Sequence, residues 1–115
     1  MIEKIKSLLG LGASFPNLPD AEFRGAVKAA KKPVIIDVRS KSEFNREKIP
    51  NAMNVDIFSP NFNERVSNMA PNKQYFLYCQ SGMRSKRACR RMLKLGFEEV
   101  TNLKGGIINY TGKTV

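Results

Sequence analysis

The sequence predicts an α/β domain built on a small, mostly parallel central sheet with helices on both faces. Three observations carry that expectation. Val34-Ile-Ile-Asp-Val38 is a β-branched run without alternation, which is how a strand covered on both sides reads. Runs of this kind alternate at short intervals with stretches of helical periodicity, the βαβ arrangement whose crossovers are right-handed. A chain of 115 residues with 42% hydrophobic and 26% charged residues suits one soluble globular domain that can bury a core of its own.

Residues 1–16 read as an N-terminal arm ahead of a domain at 17–115. The arm has a short basic start and an apolar patch broken by Gly10 and Gly12, and is expected to be a short amphipathic arm, with a secretory leader as the alternative that the broken patch disfavours. Ile2, Ile5 and Leu9 share one helical face in it. A helix follows within Leu18–Ala30: Pro19, Asp20 and Glu22 suit its start, and Phe23, Val27 and Ala30 fall at helical spacing. It must stop by Lys32, because the residue before Pro33 is pushed out of helical geometry.

The strand at residues 34–38 ends in a polar group, Asp37, Arg39 and Glu43, with a short helix expected over residues 42–48. That group reads either as a capping and ion-pair cluster that fixes the turn, or as side chains placed near a site, since loops at strand C-termini carry function in open α/β sheets. Ile49–Val55 is a turn running into a short strand at Ala52–Val55. Residues 58–71 contain a helix with Phe62, Val66 and Met69 on its core face. Tyr75–Cys79 and Val100–Leu103 are buried strands, the second followed by Gly105-Gly106.

Between the strand at 75–79 and a helix from Met83 or Arg84 to Leu95 lies Cys79-Gln80-Ser81-Gly82-Met83-Arg84-Ser85. A thiolate at a strand end, under a loop that opens a helix, faces backbone N–H groups and the positive end of the helix dipole. Such a cysteine is expected to be nucleophilic. Gly82 permits a backbone conformation that a side chain blocks, and Arg84 adds a positive charge. The helix should end with Gly96 left-handed at C′ and Phe97 at C″.

Composition narrows the chemistry. The chain has no histidine, which removes Cys-His and Ser-His-Asp catalysis and the usual zinc ligand sets. Two cysteines are too few for a disulfide scaffold, so a reducing, cytoplasmic setting is expected. Cys89 sits at helical spacing with Ala88 and Met92 and reads as a small core residue. Five residues from Arg84 to Cys89 is about 7–8 Å of helix, so a direct disulfide to Cys79 would strain the fold. A net charge of +10, from 20 Lys and Arg against 10 Asp and Glu, favours anionic partners or substrates. Arg84, Lys86, Arg87, Arg90, Arg91 and Lys94 crowd the helix after the loop, which is either a solvated face or a docking surface for an acidic partner protein. No stretch approaches a membrane span.

These residues resemble the single-domain rhodanese family of sulfurtransferases over nearly everything after the arm. Val34–Arg39 with Glu43-Phe44 is similar to the family's first block, and Ile49-Pro50 with Ala52–Val55 to its second. Tyr78–Ser85 is similar to its active-site loop, and Leu103–Ile107 with Tyr110 to its closing block. Glu47, Lys48 and Asn51 stand where Gly, His and Gly are usual, and Tyr110 where Trp is usual. Asn51 must then adopt glycine's left-handed geometry, which Asn tolerates better than most residues. The resemblance implies a rhodanese-like fold and a Cys79 nucleophile that takes sulfane sulfur from a small anionic donor such as thiosulfate, or from a persulfide. Cys79 then passes it to a thiol or a protein acceptor. It further implies that Gln80, Ser81, Gly82, Met83, Arg84 and Ser85 form the cradle and that Arg84 orients the donor and favours the thiolate; Asp37 and Arg39, at a strand's C-terminal end, are the candidates to lie behind it. No metal or cofactor is called for.

Three other classes stay open. A rhodanese-like fold can serve as a non-catalytic protein-binding module. A cysteine phosphatase has five residues between its Cys and Arg, whereas four separate Cys79 from Arg84, a ring too small to wrap a phosphoryl group comfortably. Nucleic-acid binding is suggested only by the charge, without a recognisable motif or interleaved aromatics.

Overall fold

A computed structural model describes residues 14–115; the expected apolar face of Ile2, Ile5 and Leu9 lies outside them. In chain order the elements are β1 (Asn17–Leu18), α1 (Asp20–Ala29), β2 (Pro33–Asp37), α2 (Lys41–Arg46), β3 (Met53–Asn54), α3 (Phe62–Ser67), β4 (Gln74–Tyr78), α4 (Met83–Lys94) and β5 (Glu99–Leu103). A 3-10 turn at Ile107–Asn109 follows. The strands pair in the order β1-β5-β4-β2-β3, and every pairing is parallel. The fold is the expected α/β layer arrangement.

The missing alternation in β2 and β4 has a direct cause in the packing. Val34, Ile36, Tyr75 and Leu77 face one core, shared with Phe62 and Val66 of α3 and with Ala88, Cys89 and Met92 of α4. Ile35, Phe76 and Tyr78 face the other, shared with Phe23 of α1, Leu103 and Ile107. α3 has six residues and would not persist in water alone. Burying Phe62 and Val66 at about 1.5–3 kcal/mol each holds it in place.

Three local expectations are met and one differs. Phe97 N–H bonds the Met92 carbonyl and Gly96 N–H the Leu93 carbonyl, both at 3.1 Å, with Gly96 at φ +98°; this is the reciprocal pair of a Schellman end. Phe62, Val66 and Met69 face the core. Asn51 takes φ +69°, the left-handed geometry that the second-block turn requires. The difference is at Leu18, expected inside the first helix. Asn17 and Leu18 instead add an edge strand beside Asn102 and Leu103, because the Lys104 and Asn102 N–H groups need the Leu18 and Pro16 carbonyls. A two-residue strand carries no periodicity to detect.

The chain leaves β2 for β3 on one side and resumes at β4 on the other. The C-terminal ends of β2 and β4 therefore flank a topological switch point, the place where open α/β sheets hold ligands. Arg39 and Cys79 emerge there.

Asn51 offers a direct check on the turn. A β-branched residue in left-handed geometry costs about 1–2 kcal/mol, so Asn51→Val should lower the urea-derived stability by that amount relative to Asn51→Gly. Equal stabilities would contradict the turn geometry.

Candidate active site

Cys79 follows β4 directly, and its side chain is 1% exposed. Three donors converge on its Sγ. Gly82 donates its backbone N–H at 3.0 Å, and Ser85 donates both its backbone N–H at 3.4 Å and its hydroxyl at 3.3 Å. Gly82 precedes α4 and adopts φ +104°, which a side chain would rarely tolerate. That turn aims the Gly82 N–H inward and starts the helix beneath the sulfur. The Ser85 hydroxyl has a second acceptor in the Gly82 carbonyl at 3.2 Å, so its one proton can go either to the carbonyl or to the sulfur.

The closing block holds the loop from behind. Ile107 and Ile108 donate their N–H groups to the Cys79 and Gln80 carbonyls at 2.9 and 3.2 Å. Gly106 lies so close that a Cβ there would fall 2.2 Å from the Gln80 carbonyl oxygen. Asn102 of β5 reaches the loop too: its Nδ2 donates to the Asn17 Oδ1 at 2.9 Å and to the Gly82 carbonyl at 3.4 Å. Its Oδ1 is the one buried side-chain polar atom without a partner among the described residues.

Asp37 and Arg39 form a buried ion pair at 2.7 Å. The Asp37 carboxylate also accepts the Arg39 Nε and backbone N–H. Arg39 uses Nη1 to hold the Gln80 Oε1 at 3.1 Å and Nη2 to hold the Glu47 carbonyl. Neither residue touches Sγ. The group is a capping and ion-pair cluster, and Arg39 in addition grips the residue that follows the cysteine.

Glu43 has two duties. It closes a capping box with Ser40 at the start of α2, and its carboxylate receives Arg84 at 2.7 and 2.8 Å, a fork-to-fork pair. Arg84 therefore spans from α4 to α2. Hydrogen bonding to Arg84 holds the Glu43 carboxyl at about 2, well below its usual 4.5. The Arg84 guanidinium is in turn raised by Glu43 first, with smaller contributions from Cys79 and Asp56. Ser81 and Met83 are exposed at the loop's outer edge. A cavity of about 290 Å³ opens beside Gln80, lined also by Arg39, Glu43, Arg46 and Glu47.

Cys89 is wholly buried among Ala88, Met92 and Leu93, and burial pushes its thiol far up. It is a core residue, and both cysteines are free. Among the described residues no cluster of three metal-ligating side chains occurs, and no helix is long and apolar enough to cross a membrane. Asn17, Asn102 and Gly106 were not singled out from sequence as site residues. The available signal was an asparagine inside a strand covered on both faces.

A thiol under converging N–H groups, at the C-terminal edge of a parallel sheet, is the arrangement of an α/β protein with a candidate site at its switch point. More narrowly, the family model of the rhodanese-like domain matches residues 21–113, and the chain belongs to that family. It is 32% identical over 75 residues to a sulfurtransferase of Allochromatium vinosum, covering 65% of this chain and 68% of that protein. It is 30% identical over 102 residues to YrkF of Bacillus subtilis, covering 89% of this chain but about half, 54%, of that one. It is also 34% identical to a tRNA uridine(34) hydroxylase of Cytophaga hutchinsonii, of which it spans 31%. The crystal structure of a rhodanese-related protein from Thermoplasma volcanium superposes with a TM-score of 0.76 at 24% identity, over 88% of this chain and 98% of that one; that likeness shows the fold.

The Glu43–Arg84 pair yields a pH prediction. A carboxyl depressed from 4.5 to about 2 stabilises the fold above its unfolded value, and the contribution is lost as pH falls through the folded one. Urea titrations should show the parent more stable than Glu43→Gln by an amount on the order of 1 kcal/mol at neutral pH. That gap should be constant above about pH 5 and should close towards pH 2. A gap independent of pH would mean that the charge pair does not matter.

Proposed function

We propose that the protein is a sulfurtransferase that carries sulfane sulfur as a Cys79 persulfide. The observation that supports this most is the convergence of the Gly82 N–H, the Ser85 N–H and the Ser85 hydroxyl on a buried sulfur in a chain with no histidine. A buried thiolate needs donors in place of water, and preorganised N–H groups supply them without a base that must change protonation.

With thiosulfate as donor, the Cys79 thiolate attacks the outer sulfur. A Cys79–sulfur bond forms, the donor's sulfur–sulfur bond breaks, and sulfite leaves with the bonding pair. In discharge an acceptor thiolate attacks the outer persulfide sulfur, takes it, and returns Cys79 to the thiolate. No electron carrier is needed. Gly82 and Ser85 face the sulfur that is negative before loading. As charge moves outward, the exposed rim of Ser81 and Met83 and the first turn of α4 border the new terminal sulfur. Arg84 keeps N–H groups that Glu43 does not use, and these can orient an anionic donor. Because Glu43 offsets its charge, the backbone carries more of the stabilisation than composition suggested.

Two observations favour a second reading, a non-catalytic binding module: Cys79 is 1% exposed, and Arg84 is already engaged. Sulfur transfer from thiosulfate to cyanide separates the two. Cys79→Ser should abolish turnover, and Cys89→Ala should retain it. Loss of one hydrogen bond to a charged group is worth about 1.5–3 kcal/mol, so Ser85→Ala should slow loading by about 10- to 100-fold. Arg84→Ala should raise KM for thiosulfate more than it lowers kcat. Equal turnover by parent and Cys79→Ser would exclude the transferase reading.

A further inference from the structure

We propose that the outer face of α4 is a docking track that brings an acidic protein, bearing a donor or acceptor thiol, to Cys79. The inference rests on the persulfide reading above and names the kind of partner that the same site serves. α4 carries Arg84, Lys86, Arg87, Arg90, Arg91 and Lys94 and no acidic residue. Three of these cations have partners: Arg84 in Glu43, Arg91 in the Phe62 ring at 5.3 Å and the Ile57 carbonyl, and Arg90 in the Phe15 ring at 5.9 Å, a contact that leaves its charge uncompensated.

Arg87, Arg90 and Lys94 are exposed and form no ion pair among the described residues. With Met83 they recur at the spacing that places side chains on one helical stripe. At 1.5 Å per residue the stripe runs about 16 Å. It starts at Met83, one residue past the glycine whose N–H holds Sγ, so a ligand lying along the stripe ends at the rim of the cysteine loop.

Like charges at this spacing repel within the isolated domain. An acidic surface would relieve that repulsion, speed encounter and orient the incoming thiol. The end nearest the thiol is apolar: Met83 is 65% exposed and Ile108, whose N–H is bonded to Gln80, is 67% exposed. Exposed methionine and arginine together suit a protein interface. The one aromatic ring against the stripe among the described residues, Phe15, is half-buried and covered by Arg90, which leaves no series of open rings for bases to stack on, so protein is favoured over nucleic acid.

The test uses a fluorescent peptide of one cysteine and six glutamates, its six-serine counterpart, and a single-stranded RNA oligonucleotide. The unloaded protein should bind the acidic peptide about tenfold more tightly than the serine peptide at low salt. That preference should vanish at about 0.5 M salt and in the triple variant Arg87→Glu, Arg90→Glu, Lys94→Glu. After loading, sulfur should pass to the acidic peptide about tenfold faster than to the serine peptide. The triple variant should lose that advantage while transferring to uncharged dithiothreitol within about twofold of the parent. Equal binding of the two peptides overturns the track, as does RNA binding more tightly than the acidic peptide and being lost in the same variant. Binding is read without sulfur, so a protein that never loads would sink the transferase reading and still decide this one.

Discussion

Everything at the site depends on the contact between a buried sulfur and the N–H groups of Gly82 and Ser85. On the proposed function that sulfur works as a thiolate, which is costly to take out of water, and the chain offers no histidine to share the charge. The compensation is built from backbone, which requires the loop to curl tightly enough for two amides to face inward. The curl needs a left-handed residue, supplied by Gly82, and a wall that can approach without side-chain bulk, supplied by Gly106 against Gln80. Strand β5 then acts as a fixed back plate: Asn102 holds the Gly82 carbonyl while β5 pairs with β4.

Two ion pairs connect that loop to the rest of the molecule, and burial separates their roles. Asp37–Arg39 is almost wholly buried, at 0% and 3% side-chain exposure. Removing either partner would strand a desolvated charge, a loss of about 3–5 kcal/mol, so this pair is part of the scaffold that positions Gln80. Glu43–Arg84 is about a quarter exposed at each side chain. It contributes less to stability and more to where a positive charge sits relative to the sulfur. The arginine that composition suggested as the site's free cation is shared with a carboxylate from across the switch point. The remaining uncompensated charge of α4 lies on its outer face, away from the core.

Local and periodic features were legible in the sequence, and non-local ones were not. The β-branched run at 34–38 disclosed a strand covered on both sides and Gly96-Phe97 a helix end, because each depends on neighbours within a few residues; the left-handed turn at Asn51 was legible only through the resemblance, in which glycine is usual there. The strand–loop–helix pattern drew attention to Cys79, and the rhodanese blocks narrowed the α/β fold to one family. The Arg84–Glu43 bridge spans 41 positions and the Asn102–Asn17 bond 85; neither spacing leaves a trace in periodicity or composition. β1 escaped for the same reason. Its two residues are strand only because β5 lies beside them.

Cys79 is the thiol that sulfur should occupy, and its core neighbour Cys89 should stay unmodified. The most direct measurement is intact mass followed by peptide mapping of the whole protein after incubation with thiosulfate, with free thiols blocked at the end. The account predicts the added mass of one sulfur atom, confined to the peptide that carries Cys79, and its disappearance when an acceptor thiol is supplied. Sulfur found on Cys89, or no added sulfur with either thiosulfate or a small-molecule persulfide as donor, would contradict it.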